Sequence, residues 1–345
     1  MTQLSIIVPV YNVEKYIRPC FESIFRQGLD EDCYEIIIVN DGTKDKSMEM
    51  IADIINKHHN ITIVNQANQG LSVARNNGIS IAKGEYILMP DSDDLLIENS
   101  IKPLLEEALK SQADLIVADF LRINDNEIES IYNIPQKEFA IKEKSGEELF
   151  LEDLNPYECY VWRTLFKKDY LIKNNLKFVP GIYIQDVPFT HECYLKANKC
   201  LRASWLLNIY RCGHDSAAST IFTKKKAKDF CTAIAKTWEL KDLNGLSAKE
   251  QNKLREDIYI SFSKMICKTA HEIDNAADRI EIIDFLKSQA PDLHFRNSKK
   301  QKIFTFFFKH FPHSLIRLRY LYAIIIEDTI RPFYYHRLRR PFFRK

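Results

Sequence analysis

Over the first 120 residues, short apolar runs alternate with longer stretches of helical spacing. The runs are Leu4 to Val10, Glu35 to Asn40, Ile61 to Asn65, Tyr86 to Met89 and Asp114 to Ala118; between them lie Val13–Gln27, Asp45–His58, Leu71–Lys83 and Glu98–Ser111. Alternation at this pitch predicts βαβ units: a mainly parallel sheet with right-handed crossovers and helices on both faces. Near-continuous apolar strands such as Ser5-Ile6-Ile7-Val8 and Ile36-Ile37-Ile38-Val39 fit strands buried on both sides. From Phe120 to Ser219 the pattern is mixed, with hairpin strands around Leu121–Tyr132, helices near Gly146–Asp153 and Val187–Ala197, and a strand near Ala203–Tyr210. Beyond Lys224 the spacing turns helical over Lys225–Asp242, Ala248–Asp274 and Ala276–Ser288. The division this suggests is an α/β domain over 1–222, a helical region over 223–298 and a basic aromatic tail over 299–345.

Composition adds a core and a charge asymmetry. At 46% hydrophobic the chain can bury a full core, and its Gly and Pro content is too low for a disordered or fibrous class. The tail from Lys299 carries a net charge of +10, which leaves −8 for the preceding 298 residues. A basic tail on an acidic body points to an anionic partner. Large apolar groups interleave with its cations, among them Phe304, Phe306, Phe311 and Tyr334. That is the pattern of an interfacial segment on an anionic membrane, where each cation is worth about 1 kcal/mol; a helical cap packed on the body is the alternative. No nucleic-acid-binding fold accompanies the stretch, so no nucleic acid is expected as a partner. The eight cysteines form no CxxC pair and read as small buried side chains of a reducing compartment. With no signal-peptide pattern at Met-Thr-Gln-Leu-Ser and no bilayer-length apolar run, the expected location is cytoplasmic, peripheral at the inner face of the membrane.

In open α/β sheets ligands bind beyond the carboxyl ends of the strands. There the first strand delivers Pro9-Val10-Tyr11-Asn12 and the second Asn40-Asp41-Gly42-Thr43. Tyr11 can stack on a base, Asp41 can accept from a nucleobase or ribose, and Gly42 lets the backbone turn closely; plain turn chemistry explains each equally well. The fourth strand ends in Asp91-Ser92-Asp93-Asp94. Three carboxylates this close repel one another unless a cation binds, and hard oxygen ligands select Mg²⁺ or Mn²⁺. The competing reading is an acidic helix N-terminus. Arg75 opens a helix before that strand and suits a diphosphate, or a solvated helix face. Asp186 stands at a helix entry, either as an N-cap or as a general base for an acceptor hydroxyl.

Taken in order, these segments resemble family 2 glycosyltransferases of the GT-A fold, the inverting kind found in bacterial capsule, O-antigen and teichoic-acid glycan assembly. The resemblance rests on Ser5-Ile6-Ile7-Val8-Pro9-Val10-Tyr11-Asn12, Val39-Asn40-Asp41-Gly42-Thr43-Lys44-Asp45 and Gln69-Gly70-Leu71-Ser72-Val73-Ala74-Arg75-Asn76. Gly84-Glu85-Tyr86-Ile87, Asp91-Ser92-Asp93-Asp94 and Gln185-Asp186-Val187-Pro188-Phe189 complete it, over roughly residues 3 to 220. It implies a nucleotide-sugar donor, UDP by preference, and a glycan or lipid-linked acceptor. Pro9, Tyr11 and Asp41 would hold the uridine, with Asn12 and Ser92 in the same site, and Arg75 would approach the diphosphate. Asp91 and Asp93 would be the DxD pair on a divalent cation, Mn or Mg, and Asp186 the base. Arg211, His214 and Ser216 would bring polar groups back to the phosphates.

Two positions depart from the family pattern. Asn40 stands where Asp is usual, a loss of charge with hydrogen bonding kept. Gln185 replaces the usual Glu before the base, which removes a like charge and makes Asp186 a slightly weaker base. Gln185 is also the one support for a catalytically silent sugar-binding module. A sugar-phosphate nucleotidyltransferase would need a Gly-rich loop where Val10-Tyr11-Asn12-Val13 stands. A processive synthase would need membrane helices and a Gln-x-x-Arg-Trp segment.

Overall fold

The computed structural model describes residues 2–130, 134–136, 138–213 and 221–317. Strand β1 (Leu4–Val10) is buried at every position, as a near-continuous apolar strand between two helical layers must be, and its one polar side chain, Ser5, donates to Glu35 at 2.6 Å. Next come α1 (Ile17–Ile24), β2 (Tyr34–Asn40), α2 (Ala52–Lys57), β3 (Ile61–Asn65), α3 (Leu71–Ile81), β4 (Tyr86–Leu88), β5 (Leu95–Leu96) and α4 (Ile101–Ser111). Then follow β6 (Leu115–Asn124), β7 (Ala140–Lys144), α5 (Gly146–Glu152), β8 (Thr164–Lys167), α6 (Lys168–Lys173), α7 (Asp186–Lys196) and β9 (Cys200–Cys212). The helical end comprises α8 (Lys224–Glu239), α9 (Ala248–Glu272), α10 (Ala276–Gln289), α11 (Lys299–His310) and α12 (Ser314–Arg317).

The sheet runs β3-β2-β1-β4-β8-β6-β9-β5, with β7 also paired to β9. Its first four strands are parallel, as expected. Beyond β4 the sheet is mixed: β8 is antiparallel to both neighbours, and β5 and β7 run antiparallel to β9. The fold is a Rossmann-like GT-A sheet followed by helices. Helix α4 shows the packing logic. Ile101, Leu104, Leu105 and Ala108 recur at helical spacing, are all buried, and join one core with residues of β1, β2 and β4.

Among the described residues the hairpin expected around Leu121–Tyr132 is not seen. Strand β6 instead continues through to Asn124, parallel to β9, and ends in a 3-10 turn over Asp125–Ser130. Its register shifts between Val117 and Phe120, and at that irregularity Asp119 pairs with Arg202 of β9. The bulge breaks the two-residue period, so one bent strand read as two.

The chain divides into two compact units, Met1–Gly181 with Gln185–Ser219, and Ile182–Ile184 with Thr220–Lys345. In the second, Phe304 and Phe308 of α11 pack edge-on against Phe262 of α9, with centroids 6.5 and 5.5 Å apart. The other side of α11 leaves Ile303 and Phe306, with Phe311 just beyond it, at least half exposed among Lys299, Lys302 and Lys309. Among the described residues no helix is long and apolar enough to cross a membrane.

Candidate active site

The loops after β1 and β2 are locked together, which is why α1 starts at Ile17 and not at Val13. The N–H groups of Asn12, Val13 and Glu14 donate to Thr43 Oγ1 (2.8 Å), Ser47 Oγ (3.0 Å) and Asp45 Oδ2 (2.9 Å). Donors that a longer helix would have left free are thus satisfied across the loop. Burial works to raise Asp45, but hydrogen bonds from Ser47, Thr43 and the Glu14 N–H hold its carboxyl below the usual range. Thr43 and Asp45 had no role assigned from sequence; nothing in their spacing shows that they tie two loops.

Asp41 accepts from the N–H groups of Gln69 and Gly70 and from Gln66 Nε2, each at 2.8 Å. It therefore holds the loop leading into α3, and Gly42 and Gly70 take the left-handed backbone that loop demands, at φ 66° and 86°. Pro9 is buried in β1 beyond the last residue paired to β4, where a missing N–H is tolerated. Tyr11, 42% exposed, and Asn12, with φ 54°, stand at the mouth.

Residues Asp91 to Asp94 form a tight turn, closed by the Asp94 N–H on Asp91 O at 3.2 Å, between β4 and β5. The acidic-helix-start reading falls here, because α4 begins only at Ile101. Arg75 is not on a solvated face either. It is 1% exposed, pairs with Asp91, and lies over the Phe178 ring at 5.3 Å. Burial, then the charges of Asp93 and Asp186, push the Asp91 carboxyl up to about 6 against the pull of Arg75. Asp94 is 1% exposed and raised well above the ordinary range by burial and by its two neighbours. Its Oδ1 accepts the Arg211 N–H at 2.8 Å, while its Oδ2 has no hydrogen-bond partner among the described residues.

Oxygens of Asp91, Asp93 and Asp94 all lie within 4.8 Å of one another. A buried carboxylate oxygen without a partner, among repelling carboxylates, is the donor set a hard divalent cation fits.

Arg211 is committed to this turn. Its Nε donates to Asp93 O at 2.8 Å, its guanidinium pairs with Asp125, and it covers the Tyr16 ring at 4.9 Å. Ser92 is buried within the turn. His214 and Ser216 lie outside the described residues. Asp186 is the first residue of α7 and not its cap; that position falls to Gln185, which makes no side-chain cap bond. Gln185 is 3% exposed, and its Oε1 lacks a hydrogen-bond partner among the described residues. The Asp186 charge acts on both Asp91 and Tyr160.

Residues 5–171 match the model of glycosyl transferase family 2. The chain is 36% identical over 212 residues to the uncharacterized glycosyltransferase EpsJ of Bacillus subtilis (strain 168), covering 60% of each chain. It is 30% identical to a poly(ribitol-phosphate) beta-glucosyltransferase of Bacillus spizizenii, over 57% of this chain and 30% of that one. The match thus spans 60% and 30% of the length of these two relatives. Among solved structures, S. aureus TarS 1–349 in complex with UDP-GlcNAc superposes with a TM-score of 0.71 at 19% identity, covering 92% of this chain and 90% of that one. The motif order and these matches agree: residues 5–171 form a glycosyl transferase family 2 domain.

Proposed function

We propose that the chain moves a sugar from a nucleotide-diphosphate donor, a UDP-sugar, onto a hydroxyl of a glycan or lipid-linked acceptor in cell-surface polysaccharide synthesis, with inversion at the anomeric carbon. The observation that carries this reading is the acidic turn after β4, where oxygens of Asp91, Asp93 and Asp94 lie within 4.8 Å of one another; the Asp186 charge, remote in sequence, adds to the burial that raises Asp91. The TarS complex with UDP-GlcNAc supports the donor class, and the poly(ribitol-phosphate) relative supports a cell-surface polymer as acceptor.

In this mechanism Asp186 takes the proton of the acceptor hydroxyl. The hydroxyl oxygen forms its bond to C1 from the face opposite the diphosphate, and the C1–O bond breaks with its electron pair leaving on the nucleoside diphosphate. Asp91 and Asp93 would hold Mn²⁺ or Mg²⁺, which when bound offsets charge on the leaving phosphates. Arg75 fixes the Asp91 carboxylate, and Arg211 fixes the backbone of the turn. Tyr11 stacks on the uracil at the mouth, with Pro9, Asn12 and Asp41 shaping the floor of the base site.

The test is Asp186→Asn: donor affinity holds within about twofold while turnover falls by ~10²–10⁴. Nucleotide release measured beside donor binding reads both. Wild-type turnover in the variant removes Asp186 from the chemistry. The membrane partner belongs to the same proposal. The exposed Ile303, Phe306 and Phe311 beside Lys299, Lys302 and Lys309 suit an anionic lipid surface at the cytoplasmic face.

A further inference from the structure

Three stacked aromatic rings, with Phe120 edge-on against two of them, cluster beside the proposed base without serving the chemistry described so far. Tyr160 stacks on Trp162 at 4.7 Å and 11°, and Trp162 on Tyr210 at 5.7 Å and 19°. Trp162 is 2% exposed and backs the group, whereas Tyr160 and Tyr210 are only half-buried. Their position is fixed from two directions. Thr190 stands one helical turn after Asp186, on the same face of α7, and its Oγ1 donates at 3.0 Å to the Cys159 carbonyl next to Tyr160. Tyr210 immediately precedes Arg211, whose N–H and Nε hold Asp94 and Asp93. The rings therefore run from the Asp186 end of α7 to the acidic turn.

An ion pair edges the cluster. Arg122 Nη1 meets Glu158 at 3.0 Å and Nη2 donates to the Tyr160 hydroxyl at 3.1 Å, with 35% and 17% of the Arg122 and Glu158 side chains exposed. A purely structural aromatic core needs no partly exposed ion pair at its rim. Planar rings offer a face to the axial C–H groups of a sugar, and a guanidinium beside a carboxylate offers donors and acceptors to neighbouring hydroxyls. Because Glu158 already neutralises Arg122, the rim favours an uncharged ring over a phosphate.

We propose that Tyr160 and Tyr210, backed by Trp162 and edged by Arg122 and Glu158, form the acceptor subsite, taking a neutral pyranose whose hydroxyl is turned toward Asp186. This rests on the transferase reading of the same site and names the acceptor's chemical class.

The experiment is saturation-transfer NMR on the full chain with UDP and Mn²⁺, using methyl β-glucopyranoside and methyl N-acetyl-β-glucosaminide as probes and ribitol as the ringless control. Both pyranosides should bind and ribitol should not. Tyr160→Leu and Tyr210→Leu should weaken pyranoside binding about tenfold, while UDP affinity in the same samples moves less than about twofold. Tyr160→Phe keeps the ring and should stay within about twofold of wild type. Arg122→Met leaves the rings intact and should weaken binding as well, which covers the case of a Leu variant that fails to melt cooperatively. The proposal is overturned if wild type binds neither pyranoside, if ribitol competes equally, if the variants bind as wild type does, or if UDP affinity falls in step with the sugar. Pyranoside binding that depends on Tyr160 in a chain that does not bind UDP would keep the subsite and sink the transferase reading.

Discussion

Stripping divalent cations from the protein should expose the electrostatic cost of the acidic turn, and Asp91 makes that cost measurable. In the cation-free fold its carboxyl stands at about 6, against an ordinary 3.8. Between those values the unfolded chain has released the proton and the folded chain keeps it. Stability from this group therefore falls as pH rises through the window, and is flat below and above it. At ~1.36 kcal/mol per pKa step the full effect is ~3 kcal/mol. The carboxylate is 30% exposed, and solvent screening brings the figure to about 1–2 kcal/mol. A cation binds the ionised form, so its stabilising effect must grow over the same range. Denaturant unfolding of wild type and Asp91→Asn, in chelator and in excess MnCl₂, at intervals between about pH 4 and pH 8, measures both quantities. Wild type in chelator should lose about 1–2 kcal/mol relative to the variant as pH rises, and Mn²⁺ should restore wild type but not the variant. Parallel pH profiles in chelator would refute the electrostatic argument. Equal stabilisation of both proteins by Mn²⁺ would refute the cation site.

Other parts of the structure make sharper, smaller claims. In Gly42→Ala the new Cβ would sit 3.0 Å from the Asn68 N in a backbone at φ 66°, which should cost about 1–3 kcal/mol in chemical denaturation and weaken UDP binding. Asp45→Ala removes the acceptor for Thr43, Ser47 and the Glu14 N–H and should cost roughly 1–3 kcal/mol at neutral pH. Asp45 has its carboxyl held low, so its contribution is present above the ordinary 3.8 and is lost as pH falls through the lower folded value; the gap between wild type and variant should close in acid. Replacing Phe306 and Phe311 by Ser should abolish flotation with anionic liposomes and leave melting almost unchanged, since both side chains are more than half exposed; flotation equal to wild type would end the lipid assignment.

Much of this molecule could be read before any coordinates, because its signals are local. The parallel strands announce themselves through unbroken β-branched runs, and the bounds of β2, β3, α3 and α10 fall within a residue or two of those expected. Asp91, Asp93, Asp94 and Asp186 stand out by residue type at strand ends and a helix start. The mixed half of the sheet was harder to see. Strand β8 has four residues and β5 two, too short for any periodicity to register, and the bulge at Asp119 disguised β6.

What the linear chain could not reveal is which polar groups have already spent their hydrogen bonds. From the sequence Arg75 suits a diphosphate or a solvated face and Arg211 the phosphates; the structure pairs Arg75 with Asp91 and sets Arg211 on the acidic turn, and a cation carries no local sign of such a partner. The same holds for Tyr160, Trp162 and Tyr210, which come from an irregular loop and a strand about 50 residues apart and meet only when β9 closes beside that loop. Local periodicity sets the elements, since it depends on neighbours three or four positions away. Partners and stacked faces depend on contacts between residues far apart along the chain, and those exist only once the sheet has assembled.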